Sequence, residues 1–111
     1  MFDLSFLEKI TGGDVLKIKK YISMYLSTVP DIYERMGKNV EQENWSNLAL
    51  NIHFIKPQTG FMGFESLKHL LIEIEHLIIE EKYDSVKSLY QKAYEIHKKS
   101  QVLLINKLEE L

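Results

Sequence analysis

The chain has 111 residues, the length of one domain, and its 45% apolar and 27% charged residues suit a compact domain with one hydrophobic core. A net charge of −2 provides no overall positive field for nucleic acid or an anionic membrane surface. Cysteine is absent, which excludes disulfides, thiolate metal sites and cysteine nucleophiles.

With only five glycines and two prolines, the chain reads as helical throughout. A short amphipathic segment opens it, with Asp3 or Ser5 as cap and Phe2, Phe6, Leu7 and Ile10 apolar. Thr11-Gly12-Gly13-Asp14 breaks this segment, and Asp14 is placed to cap the next helix. Val15, Ile18, Ile22, Tyr25, Val29, Ile32 and Met36 then recur at spacings of three and four, which predicts one buried helical face. Pro30 is expected to bend this helix and Gly37-Lys38-Asn39 to close it. A third segment, 41–63, carries the stripe Trp45, Leu48, Ile52, Ile55, Thr59 and Met62, with Gly60 and Gly63 near its end. The fourth runs from Glu65 to Glu81 on Leu67, Leu70, Leu71, Ile74, Leu77 and Ile78. A fifth, capped by Asp84 or Ser85, buries Val86, Leu89, Tyr90, Ala93, Ile96, Ser100, Leu103 and Leu104.

Four long amphipathic helices with short breaks predict an all-α, up-down-up-down antiparallel four-helix bundle. The short N-terminal helix would lie across one end as a lid, and residues 1–111 form a single domain able to bury its core as a monomer. Met1–Ile10 lacks the basic start and apolar run of a secretory signal. The most apolar stretch, Leu67–Ile79, is too interrupted by charge to span a bilayer. A cytoplasmic location is expected, with no membrane and no nucleic acid among the partners.

The four histidines are the reactive groups to weigh. At roughly 100° per residue, His53 sits about 120° from the centre of the third helix's buried stripe, on a flank open to solvent. Ala49, Lys56 and Gly60 follow the same edge at intervals of one turn. On its own, such a residue reads as a solvated surface histidine. Glu73-x-x-His76 matches one element of a carboxylate di-iron bundle, but the second element is missing because Tyr94 stands three residues before His97. No metal site is expected, and His97, beside the fifth helix's core stripe, reads as structural. Phe54 and Phe61 project away from the stripe, either to sit under the first helix, which is the expectation, or to extend a partner surface. Neither a GxxxxGK loop nor a GxGxxG turn is present, so the sequence shows no ATP-binding machinery.

The run His53-Phe54-Ile55-Lys56-Pro57-Gln58-Thr59-Gly60-Phe61-Met62-Gly63 resembles the signature of histidine-containing phosphotransfer (HPt) domains. In that pattern an apolar residue follows the histidine by two, a lysine by three and a glycine by ten. Leu7–Asp14 and Trp45, eight residues before His53, extend the likeness over nearly the whole chain. Pro57 departs from the usual glycine and Gln58 from the usual small residue. The resemblance implies a phosphocarrier rather than an enzyme, with His53 as phosphoacceptor and Lys56 stabilising the phosphoryl group. It makes Gln58 a candidate phosphoryl contact, and Ala49, Pro57, Gly60 and Gly63 a docking surface. Implied partners are receiver domains of a hybrid sensor kinase or a response regulator, which would hold the Mg²⁺, so that this chain needs no cofactor. The competing reading is a helical adaptor that keeps the fold for docking without being phosphorylated.

Overall fold

The computed structural model describes residues 4–111, of which Phe2 and Asp3 are no part, and the described residues fold into five helices and no strand. These are α1 (Ser5–Thr11), α2 (Val15–Glu41), α3 (Trp45–Phe61), α4 (Glu65–Ile79) and α5 (Val86–Glu110). The four long helices pack in a ring, α2 on α3, α3 on α4, α4 on α5 and α5 back on α2, while α1 packs on α2. The molecule is 43 Å long and 20 Å in each other direction. A helix of 25–27 residues is about 40 Å long, so the long helices set the long dimension.

Periodicity selects the core. Ile18, Ile22, Tyr25, Val29, Ile32 and Met36 of α2 are buried, as are Leu48, Ile52, Ile55 and Thr59 of α3. Leu67, Leu70, Leu71 and Ile74 of α4 meet them, together with Val86, Tyr90, Ala93, Ser100 and Leu104 of α5. Val15 and Leu103 are exposed instead. Val15 opens α2 at its first residue, and Leu103 lies about 100° round the helix from Leu104, which takes the inward position.

The helix ends follow local chemistry. Oδ1 of Asp14 accepts from the amides of Leu16 (2.9 Å) and Lys17 (3.3 Å), as its position predicts. Leu4, not Ser5, precedes the first turn of α1, and the Ser85 side chain makes no cap hydrogen bond. Gly37 does not end α2 but lies inside it, where a Cβ would stand 3.1 Å from the Tyr90 hydroxyl. That hydroxyl donates to the Tyr33 carbonyl at 2.6 Å, tying α5 to the α2 main chain. The helix continues to Glu41 and stops in a left-handed turn at Glu43 (φ 54°). The same turn ends α3 at Gly63 (φ 75°) and α4 at Glu81 (φ 57°). In each, the next amide bonds a carbonyl five residues back: Asn44 to Asn39, Phe64 to Thr59 and Lys82 to Leu77. At the end of the bundle where α3 begins, Trp45 stacks on Tyr83 with ring centroids 4.9 Å apart.

His97 is structural, as expected, and more deeply placed than the sequence implies. It is buried and stacks on Tyr33 at 4.0 Å with ring planes 6° apart. Its Nδ1 and the hydroxyl of Tyr33 find no hydrogen-bond partner among the described residues. Burial first, then the nearby Lys98 charge, lowers the His97 pKa to about 4.

Two predictions follow from these features. The folded state holds His97 neutral while the unfolded chain protonates it near pH 6.5, so its contribution is complete above that pH and is lost as pH falls toward 4. The loss amounts to at most about 3 kcal/mol. His97→Phe, which keeps a ring against Tyr33, should flatten stability between pH 6.5 and 4 in urea titrations; an unchanged slope would assign the acid limb to other groups. Separately, Glu43→Gly and Glu81→Gly should each stabilise by roughly 0.5–1 kcal/mol, because glycine adopts positive φ without steric cost. Denaturation midpoints that stay put or fall would show that the glutamate side chains stabilise these turns.

Candidate functional site

Helix α3 presents apolar residues on two sides. Ile52 and Ile55 are fully buried, and His53 between them is turned outward with its side chain 78% exposed. Leu50, Phe54 and Phe61 are exposed along the same helix. Phe61 stacks on Phe6 of α1 at 5.4 Å, as the sequence suggests, but Phe54 remains open. The seven residues of α1 do not cover it. Ile10, Tyr21 and Met24 are exposed as well and line a groove with Phe61 and Gln58, so an apolar surface spreads from α3 across α1 and α2. Apolar surface of this kind marks an interaction face.

Across α3, on the α4 side, the site is charged. Glu75 of α4 reaches both sequence-predicted site residues with one carboxylate. Its Oε1 accepts from the Lys56 ammonium at 2.7 Å, and its Oε2 lies 3.9 Å from Nδ1 of His53. The Lys56 and Glu75 side chains are 26% and 16% exposed, so this pair is partly shielded from water, whereas the imidazole is not. The structure therefore brings His53 and Lys56 together through a residue that the sequence reading passed over in favour of Glu73. Its signal was weak. Glu75 follows the buried Ile74 and lies seven residues after Lys68, on the edge of α4 that faces α3.

The other candidates separate. The Gln58 amide donates to the Phe54 carbonyl at 3.2 Å and lines the α1–α2 groove, so its side chain is committed to local backbone. Pro57 is exposed within an α3 that runs on to Phe61; lacking an N–H, it cannot bond the His53 carbonyl. Ala49 is half-buried, one turn before His53. Gly60 is overlain by Lys68 of α4, and Gly63 forms the left-handed turn after α3. Asn44 caps α3 by accepting from the Asn47 amide at 3.3 Å, and the Asn51 amide donates to Asn39 of α2 at 2.8 Å. These bonds hold the helix that carries the histidine. No described helix is long and apolar enough to cross a membrane.

No curated protein and no solved structure matches the chain. The sequence model of one family does, the Hpt domain, over residues 20–111, a span that contains α3, α4 and all the residues gathered at Glu75. An all-helical bundle that turns a histidine outward beside a lysine thus coincides with a match over most of the length, and the chain belongs to the Hpt domain family.

Proposed function

We propose that this chain is a phosphocarrier in a multistep phosphorelay, with His53 accepting a phosphoryl group from an aspartyl phosphate on one receiver domain and passing it to another. Membership of the Hpt family implies histidine phosphotransfer. The observation that carries the assignment to His53 is its exposure on the α3 flank beside a shared Lys56–Glu75 pair. His69 and His76 are also exposed but have no such pair among the described residues, and His97 is buried. The α3–α4 pair runs antiparallel, as an up-down-up-down bundle requires, since His53 faces Glu75 while Gly60, further along α3, faces Lys68, earlier on α4. Residues 1–111 act as one domain in the cytoplasm, where receiver domains supply both the aspartate and the Mg²⁺.

Glu75 gives the imidazole a direction. A carboxylate on the Nδ1 side favours the tautomer with its proton on Nδ1, which leaves the Nε2 lone pair outward and nucleophilic. In the transfer, Nε2 attacks phosphorus, the P–N bond forms as the P–O bond to the partner's aspartyl carbonyl breaks, and aspartate leaves as carboxylate. The ring becomes cationic and its Nδ1 proton faces Glu75. Lys56, one turn from His53, then turns part of its charge from Glu75 to the phosphoryl oxygens. The apolar surface of Leu50, Phe54 and Phe61 supplies the area on which a receiver domain docks, with Ala49, Pro57 and Gly63 at its margins.

His53→Gln should abolish labelling by a phosphorylated receiver domain or by phosphoramidate while leaving the melting temperature unchanged, because an exposed side chain leaves no cavity. The wild-type label should be lost in acid and stable in alkali, as a phosphoramidate bond is. Persistent labelling of the variant would move the site to another histidine, and an unlabelled wild type would favour the docking adaptor.

Lys56→Ala and Glu75→Gln should differ in kind. Loss of the lysine leaves Glu75 facing the phosphoryl group without a counter-charge, and should shorten the lifetime of the phosphorylated form by roughly 3- to 100-fold, the equivalent of ~0.7–2.7 kcal/mol. Glu75→Gln should slow acceptance about tenfold, or ~1.4 kcal/mol, without shortening that lifetime. Stopped-flow transfer and decay of isolated phosphoprotein would separate them; identical effects on both steps would mean that Glu75 serves only to hold Lys56.

A further inference from the structure

We propose that Lys68 is a second recognition group on this face, an ammonium directed to a carboxylate on the receiver domain, and that Gly60 is the bare floor on which it lies. The inference rests on the phosphotransfer reading above. Lys68 stands on α4 seven residues before Glu75, and its side chain crosses to α3 at Gly60, seven residues beyond His53. An ideal Cβ at Gly60 would lie 3.3 Å from its Nζ, 3.5 Å from Cδ and 3.7 Å from Cε. The whole end of the side chain is therefore laid along the glycine instead of standing out in water. The depression around it is lined by Phe6, Pro57, Phe61 and Glu65, so the stem packs on apolar surface continuous with that beside His53.

Charge pairing distinguishes this lysine from Lys56. The ion pairs among the described residues join Lys56 to Glu75 and Lys82 to Glu80, with His53 3.9 Å from Glu75. Among the described residues, Lys68 has no carboxylate within ion-pair distance, Glu65 of the same depression included. Seven helical residues correspond to about 10 Å along α3, too far for Lys68 to touch a phosphoryl group on His53. It lies, however, within the area that a docked domain covers. A half-buried, pre-placed ammonium at the rim of such a contact favours partners carrying Asp or Glu opposite it, and acts mainly on association rate and partner choice. A Cβ at residue 60 would press the ammonium aside by only a few tenths of an ångström, but a larger side chain would lift the lysine from this position. Gly60 thus serves the contact by admitting Lys68, rather than by leaving space for the partner itself.

The test uses the full chain and a receiver domain phosphorylated with acetyl phosphate, chosen from a panel as the one exchanging fastest with wild type. Lys68→Ala should lower the rate of phosphoryl transfer at low ionic strength about three- to tenfold and flatten its salt dependence, with Lys68→Glu lower still. Labelling of His53 by phosphoramidate, which needs no docking, should be unchanged in Lys68→Ala. Gly60→Leu substitutes a better helix former within α3, so it should fold, and its bulk, which displaces the lysine, should slow receiver transfer to a similar degree. The double variant should be no slower than Lys68→Ala alone. Wild-type transfer rates in Lys68→Ala at low salt, or losses that multiply in the double variant, would overturn the proposal. A wild-type chain that phosphoramidate does not label at His53 would overturn the phosphotransfer reading, and this inference with it.

Discussion

The rotation of α3 about its own axis is the constraint on which everything at the site depends. Leu48, Ile52, Ile55 and Thr59 are all fully buried, and their spacing of four, three and four leaves the helix one stable orientation in the bundle. Turning it to bury His53 would bring Ile52 or Ile55 to the surface, at about 1.5–3 kcal/mol for each side chain. The outward imidazole is thus a by-product of core packing, requiring no interaction of its own. A group held this way has its direction set by hydrophobic burial while its ring stays in water.

Around that fixed point the two sides of α3 differ in chemistry. Toward α1 and α2 the surface is apolar, with Phe54, Phe61, Phe6, Ile10 and Met24 exposed. Toward α4 it is ionic, organised by Glu75 and Lys68. Apolar area and charge chemistry are therefore supplied by different helices. Substitutions on α1 or α2 can alter the apolar surface without disturbing the carboxylate that faces the imidazole.

The helices and the exposed flank of His53 were legible in the sequence, because both follow from periodicity within one helix. Glu75 was not. Which residue of α4 meets His53 depends on how far α4 is offset from α3, and that offset is set by the turn at Met62-Gly63-Phe64, on which hydrophobic spacing has no bearing. The end of α2 was misplaced for a related reason. Glycine is the usual sign of a left-handed helix end, yet here Gly37 admits the Tyr90 hydroxyl while a glutamate takes the turn. Gly60 shows the same ambiguity, since a glycine in sequence does not reveal whether it ends a helix or makes way for a neighbour's side chain. His97 lay within reach of sequence reasoning, as a residue next to the α5 stripe, but its stacking on Tyr33 depends on packing between helices.

The stack of Trp45 on Tyr83 bears on how this molecule can be observed. Trp45 is the chain's single tryptophan, and it opens α3 eight residues before His53, about 12 Å away along the helix. Its emission therefore reports contact between the start of α3 and the α4–α5 connection. The proposed phosphorylation and docking sites lie further along α3, outside that contact. Intrinsic fluorescence is accordingly a native gauge of whether the bundle end is closed, and it should remain silent through phosphoryl transfer.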